Sequence, residues 1–280
     1  MGEKLIDELP ATVSINLAAL HGLVCIHLQR LLDILAVSLV GLEKVDDSAY
    51  ADFSPFFNLA PAQNERLTRE SAVAEAQRWY LCTAFRDAIE VINLFLDRGR
   101  LVCALCSKTA RGKIMGADYN RIVGAEAEEF HFLGLPKKLE RLRKDFGIAA
   151  ELETHALSIN TARNCLVHRL GIVSDEDVDA NGELAILWRS LSLVKQSSDG
   201  TQEISLDEPG EIVDVGWSVI ARITDNKKTF RRGERIDLSH REITHTFSTL
   251  MAFTTSIVQS MERYSKKLDI RMPDSRAEDV

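Results

Sequence analysis

Apolar side chains recur at helical spacing from about Ala11 to Glu43 with no proline inside the run, which predicts one long helix. Asp46 to Asn64 carries Pro55, Pro61 and clustered Phe residues and reads as an ordered loop. Helical period resumes from Arg66 to about Lys108, with a break expected near Gly99, and Thr109–Ala117 is a basic connection. A shorter helix is expected over Asp118–Phe132. Gly134-Leu-Pro136 then interrupts the chain, and Pro136 is placed to open a helix over Lys137–Phe146 that Gly147 closes. Ala149–Leu170 forms one more helix, ended by Gly171 at the position a left-handed cap favours.

After Gly171 the pattern changes period. Leu184–Val194, Gln202–Leu206, Glu211–Ile223 and Phe230–Leu238 are short, alternating or β-branched, and bounded by Gly, Asn and Asp, as antiparallel strands are. Ser239-His-Arg-Glu242 fits a capping box, so a helix from His240 to about Leu268 returns to the bundle, with a frayed tail. The expected fold is mainly α. A helical bundle occupies 1–171, a small antiparallel β-rich insertion 172–238, and a C-terminal helix 239–280.

Charge and composition narrow the function. A net charge of −8 over 280 residues argues against a surface that coats nucleic acid broadly, though a few placed cations suffice for phosphate contacts. The five cysteines (Cys25, Cys82, Cys103, Cys106, Cys165) lie in apolar helical runs without framework spacing, which implies reduced thiols and a cytoplasmic protein. Cys103 and Cys106 form a C-x-x-C with no second pair, so packing is the expectation. No metal or cofactor is implied. The N-terminus lacks a signal-peptide pattern. The greasy run Ile15–Leu42 holds His21, His27, Gln29, Arg30 and Asp33, and charges in mid-span are costly in lipid. A buried core helix, not a membrane span, is expected.

The residues that could carry chemistry lie in Ile159-Asn-Thr-Ala-Arg-Asn-Cys-Leu-Val-His-Arg-Leu-Gly171. Leu152, Ala156, Ile159, Ala162, Leu166 and Leu170 make the core stripe, while Asn160, Asn164 and His168 share a polar face at successive turns. Asn164 can therefore touch the His168 ring. His168 occupies the last turn, where unpaired carbonyls favour a charged imidazole. Arg163 sits at the border of the core stripe, and its fork could bind a phosphate. Arg163 and His168 are five residues apart, roughly 140° around an ideal helix. Either the helix end unwinds, or two copies of the motif meet across a symmetric dimer.

Arg163-Asn-Cys-Leu-Val-His168 at the end of a late helix resembles the R-x4–6-H motif of the HEPN superfamily, and Asn164 matches the polar residue that commonly follows the Arg. The Gly-Leu-Pro and Phe-Gly-Ile punctuation ahead of it is similar as well. The resemblance covers about Ala11 to Gly171 and leaves the β-rich stretch outside. It implies an up-and-down four-helix bundle that forms a homodimer and cuts RNA without metal. It also implies a toxin or anti-phage effector that works with an antitoxin or defence-system partner protein. Carried over, Arg163, His168 and Asn164 match the catalytic positions. Arg169, Lys137, Lys138 and Arg141 are candidates for a rim that guides RNA.

The spacing alone is a short pattern, and Arg235-Ile-Asp-Leu-Ser-His240 repeats it. There the Arg falls on an expected strand and the His opens a helix, so that match reads as coincidence. The rival for Arg163 is a bridge to a carboxylate such as Asp87 or Glu90. The rival for the whole chain is a non-catalytic dimeric module that binds RNA or a partner protein.

Overall fold

A computed structural model describes residues 16–52, 67–112, 114, 116–206 and 215–270. Helix α1 spans Leu17–Glu43. Asn16 caps it by accepting from the Ala19 N–H at 2.9 Å, satisfying one of the orphan donors of the first turn. The helical turns expected from Ala11 to Ile15 lie outside the described residues. Leu17, Val24, Leu28, Leu35 and Leu39 face inward, against α3 and α8. The expected buried core helix is buried on one side only, because Leu23, Ile26, Ile34, Val37 and Val40 are exposed. Among the described residues α1 is the helix long and apolar enough to cross a membrane.

A short helix, α2 (Asp47–Asp52), stands within the expected loop, whose remainder from 53 lies outside the described residues. Helix α3 runs unbroken over the 41 residues Arg69–Thr109, about 62 Å at 1.5 Å per residue. It is the hub against which α1, α4, α5, α6, α7 and α8 pack. The break expected at Gly99 is absent. A Cβ at Gly99 would lie 3.0 Å from Met261 Sδ, so this glycine admits α8 instead of ending α3.

The helix expected over Asp118–Phe132 is two pieces, α4 (Gly116–Val123) and α5 (Ala125–His131). At Gly124 a Cβ would meet the Asn120 carbonyl oxygen at 2.6 Å, a bend only glycine can take. Arg100, buried in α3, fastens the bend by donating to the Ile122 carbonyl at 2.9 Å and to Glu126 at 2.5 Å. Helix α6 (Leu135–Phe146) opens with Pro136 in its first turn and closes on Gly147 at φ 69°. Helix α7 is Glu153–Arg169. It closes through Leu170 and Gly171, both at positive φ, with the Gly171 N–H on the Cys165 carbonyl at 3.1 Å.

Three antiparallel strands follow in the order β2-β1-β3: β1 (Glu183–Ser197), β2 (Glu203–Ser205) and β3 (Trp217–Arg231). Phe230–Leu238 is not a separate strand. One strand continues to Arg231, and Ile172 and Arg235 make an isolated bridge beyond it. Asp225 and Asn226, a turn signal in the sequence, stay extended because their side chains are used on the sheet. Asp225 accepts from Arg189 at 2.8 Å and Asn226 donates to Ser190 Oγ at 2.9 Å. The sheet rests on α7 and α8 (His240–Lys267). The Leu187 N–H donates to Ser158 Oγ at 2.9 Å and the Arg189 N–H to Thr249 Oγ1 at 2.8 Å. Ser239 and Glu242 form the capping box that starts α8. The chain is thus mostly helical, with a small sheet and a returning C-terminal helix.

Candidate functional site

Helix α7 buries Ala156, Ile159, Ala162, Cys165 and Leu166 and leaves His168 exposed in its last turn. Leu170, expected in the buried stripe, is 73% exposed because the left-handed cap turns it outward. His168 makes no hydrogen bond or ion pair among the described residues. Arg163 is half-buried where α7 meets α3. Its Nη1 donates to Asn164 Oδ1 at 3.0 Å, and its Nε is buried with no hydrogen-bond partner among the described residues. The carboxylate bridge to Asp87 or Glu90 is not formed, since Asp87 is held by Arg86 at 2.8 Å.

Asn164 therefore serves Arg163 and not His168. A charged guanidinium is the stronger donor and sits beside it in the chain. The side chain expected to orient the imidazole orients the guanidinium instead. The helix keeps its form through His168, so the end does not unwind, and the two groups diverge around the axis within one protomer.

From α3, Cys82 lies within electrostatic reach of both Arg163 and its own helix neighbour Arg86. Burial pushes the Cys82 thiol up, and the Arg86 and Arg163 guanidinia oppose that shift. Local sequence around the motif held no signal for these two, because they arrive from a helix some eighty residues earlier. Cys165, inside the motif, faces the core. Burial, together with Asp177, pushes its thiol up to about 12, which leaves it a packing residue.

The candidate RNA rim is placed elsewhere. Arg169 donates from Nε to Asp177 Oδ2 at 2.7 Å, also contacts Asp177 through Nη2, and reaches Glu176 at 3.0 Å. It clamps the 174–177 turn onto the end of α7. Arg141 is shared by Asp145 at 2.8 Å and Glu129 at 3.2 Å. Lys138 is buried and donates to Asp97 Oδ1 at 2.5 Å, so it is no rim residue. Lys137 is exposed. Asp97 lies fifteen residues along α3 from Cys82, about 22 Å from the level of Arg163. Helix α6 therefore stands well away from the motif. Of its cations, Arg141 is taken by Asp145 of the same helix and by Glu129, Lys138 by Asp97 of α3, and Arg143 by Glu153 of α7.

The second motif match also comes apart. Arg235 sits at the isolated bridge. His240 lines a cleft of about 100 Å³ between α1 and α8, with Leu32, Leu35, Leu39, Val40 and Ile243. Cys103 and Cys106 are buried in α3, and among the described residues no group of three or more His, Cys, Asp or Glu could hold a metal ion. No family model, no curated protein and no solved structure matches the chain.

Proposed function

We propose that this chain is a HEPN-type endoribonuclease that cuts RNA without a metal, with Arg163 and His168 as its catalytic residues. The observation that carries the reading is the state of Arg163: a half-buried, permanent cation at a helix surface, aimed by Asn164, with its outer donor unspent and no carboxylate on it among the described residues. Nε is sealed from solvent, but Nη2 is neither buried nor hydrogen-bonded among the described residues, and it is the donor a phosphate oxygen could reach. On the same helix, His168 stands exposed and unpartnered among the described residues.

His168 takes the proton of a ribose 2′-hydroxyl, and the oxygen attacks the adjacent phosphorus. Arg163 neutralises the pentacoordinate phosphorane. The 5′-oxygen leaves with a proton from a second imidazole or from water. The products are a 2′,3′-cyclic phosphate and a 5′-hydroxyl, and DNA resists because it lacks the nucleophile. Single-stranded or loop RNA suits the in-line attack. Because α7 stays helical through the motif, the reading needs two copies that bring their α7 ends together so that both groups reach one phosphate, and it therefore calls for a homodimer. An intracellular toxin or anti-phage role, with an antitoxin or other defence-system protein as partner, comes from the family resemblance.

The test is purified full-length chain with single-stranded RNA in EDTA. Arg163→Ala and His168→Ala each remove cleavage while the melting temperature stays put. Loss of folding in both variants would instead make the pair structural and leave the non-catalytic module as the reading.

A further inference from the structure

Helix α1 has a second regular face. Opposite the buried stripe, exposed positions follow one another by four and three residues: Leu23, Ile26, Arg30, Asp33, Val37 and Val40. Leu23 and Val37 are 56% and 74% exposed, far more than an isolated surface apolar residue needs explaining. This alternating spacing is the heptad seam by which one helix packs along another.

The seam is its own complement. Run a second α1 antiparallel to the first, with the two-fold axis passing between Leu31 and Leu32. Leu23 then meets Val40, Ile26 meets Val37, and Arg30 meets Asp33, every pair generated twice by the one axis. The charges also decide direction. A parallel pairing would set Arg30 on Arg30 and Asp33 on Asp33. Within its own copy Arg30 makes no ion pair among the described residues, and Asp33 accepts only the Gln29 amide at 2.7 Å. A lipid bilayer would meet the same two charges in mid-helix with nothing to pair them.

We infer that the outward face of α1 is an antiparallel helix-to-helix interface between two copies of this chain, in the register that pairs Arg30 with Asp33. The seam does not rest on the nuclease reading.

Sedimentation equilibrium of the full chain tests it, with circular dichroism melts as the check on folding. Wild type associates in the micromolar range. Arg30→Asp and Asp33→Arg each weaken association by about tenfold or more through like-charge opposition. The double exchange, Arg30→Asp with Asp33→Arg, restores it to within a few-fold. The variant Ile26→Cys/Val37→Cys keeps the charges and, on mild oxidation, gives a disulfide-linked dimer that wild type does not. A single-chain mass at all concentrations would overturn the proposal. So would single exchanges that behave as wild type, a double exchange without rescue, failure of the cysteine pair to cross-link, or flotation of the chain with phosphatidylcholine vesicles in place of self-association.

Discussion

Two histidines in this chain lie within seven residues of a basic residue that reaches α3, and the two places differ in one ingredient. At the α3–α6 contact, Asp97 receives Lys138 on one oxygen at 2.5 Å and His131 Nδ1 on the other at 2.8 Å. The Lys138 ammonium also lies 5.6 Å from the Phe130 ring centre. At the α3–α7 contact, Arg163 has an amide oxygen where Lys138 has a carboxylate, and His168 has no partner among the described residues. The first cluster spends its charges on holding two helices together. The second keeps them available. The presence or absence of one carboxylate thus separates a structural staple from a guanidinium that no carboxylate neutralises among the described residues.

The same contrast recurs inside α7. Arg169, six residues from Arg163, is clamped by Asp177 and Glu176. Helix, exposure and residue type are nearly shared, so the pairing itself is what differs.

The largest expected effect is catalytic. Arg163→Ala and His168→Ala each lower RNA cleavage by about 10²- to 10³-fold, read from initial rates on a labelled single-stranded RNA, with melting temperature held within a few degrees. Lys138→Ala does the reverse. It leaves a partly buried Asp97 with His131 in place of the buried ammonium and costs roughly 3 kcal/mol in a denaturant titration, while cleavage per folded molecule is unchanged. A Lys138 variant that lost activity without losing stability would break the comparison.

The Arg169 clamp makes an intermediate prediction. Burial pushes the Asp177 carboxyl up, but the Arg169 guanidinium and the Ser174 N–H and hydroxyl outweigh it, so the net shift is downward. A carboxyl depressed in the folded state stabilises the fold above the ordinary carboxylate range. That stability is lost as pH falls through its folded value. Asp177→Asn should cost about 2 kcal/mol at neutral pH and flatten the wild-type loss of stability on acidification, followed by melts across the acid range. The smallest effect sharpens the comparison most. Asn164→Asp supplies the missing carboxylate beside Arg163, and cleavage should fall by about tenfold as the guanidinium is turned from phosphate to its neighbour.

Much of this architecture could be read from period and punctuation. Pro136, Gly147, Gly171 and the Ser239–Glu242 box mark helix ends by local chemistry, and the structure uses each of them there. Legibility stopped where a distant element decides. Gly99 looked like a break because its purpose is Met261 of α8. Asp225-Asn226 looked like a turn because Arg189 and Ser190, on the paired strand, are what keep it extended. In α7 the exposed imidazole and the core stripe as far as Leu166 were visible in the spacing, while Leu170 is turned outward by the cap and Cys165 joins the buried side. Sequence could not say that Asn164 would choose Arg163 over His168, nor that Lys138 would be drawn inside by Asp97. Both outcomes are competitions between partners that only packing brings together.

The most direct test is the chemistry of the cut ends. Incubate the full chain in EDTA with an RNA oligonucleotide and with the same strand carrying 2′-deoxyribose at the cleaved position, then identify the products by mass. The expected result is a 2′,3′-cyclic phosphate and a 5′-hydroxyl from the RNA, none from the deoxy strand, and none from either with His168→Ala. Intact RNA after incubation with the folded wild-type chain, or equal cutting by His168→Ala, would contradict the assignment of Arg163 and His168.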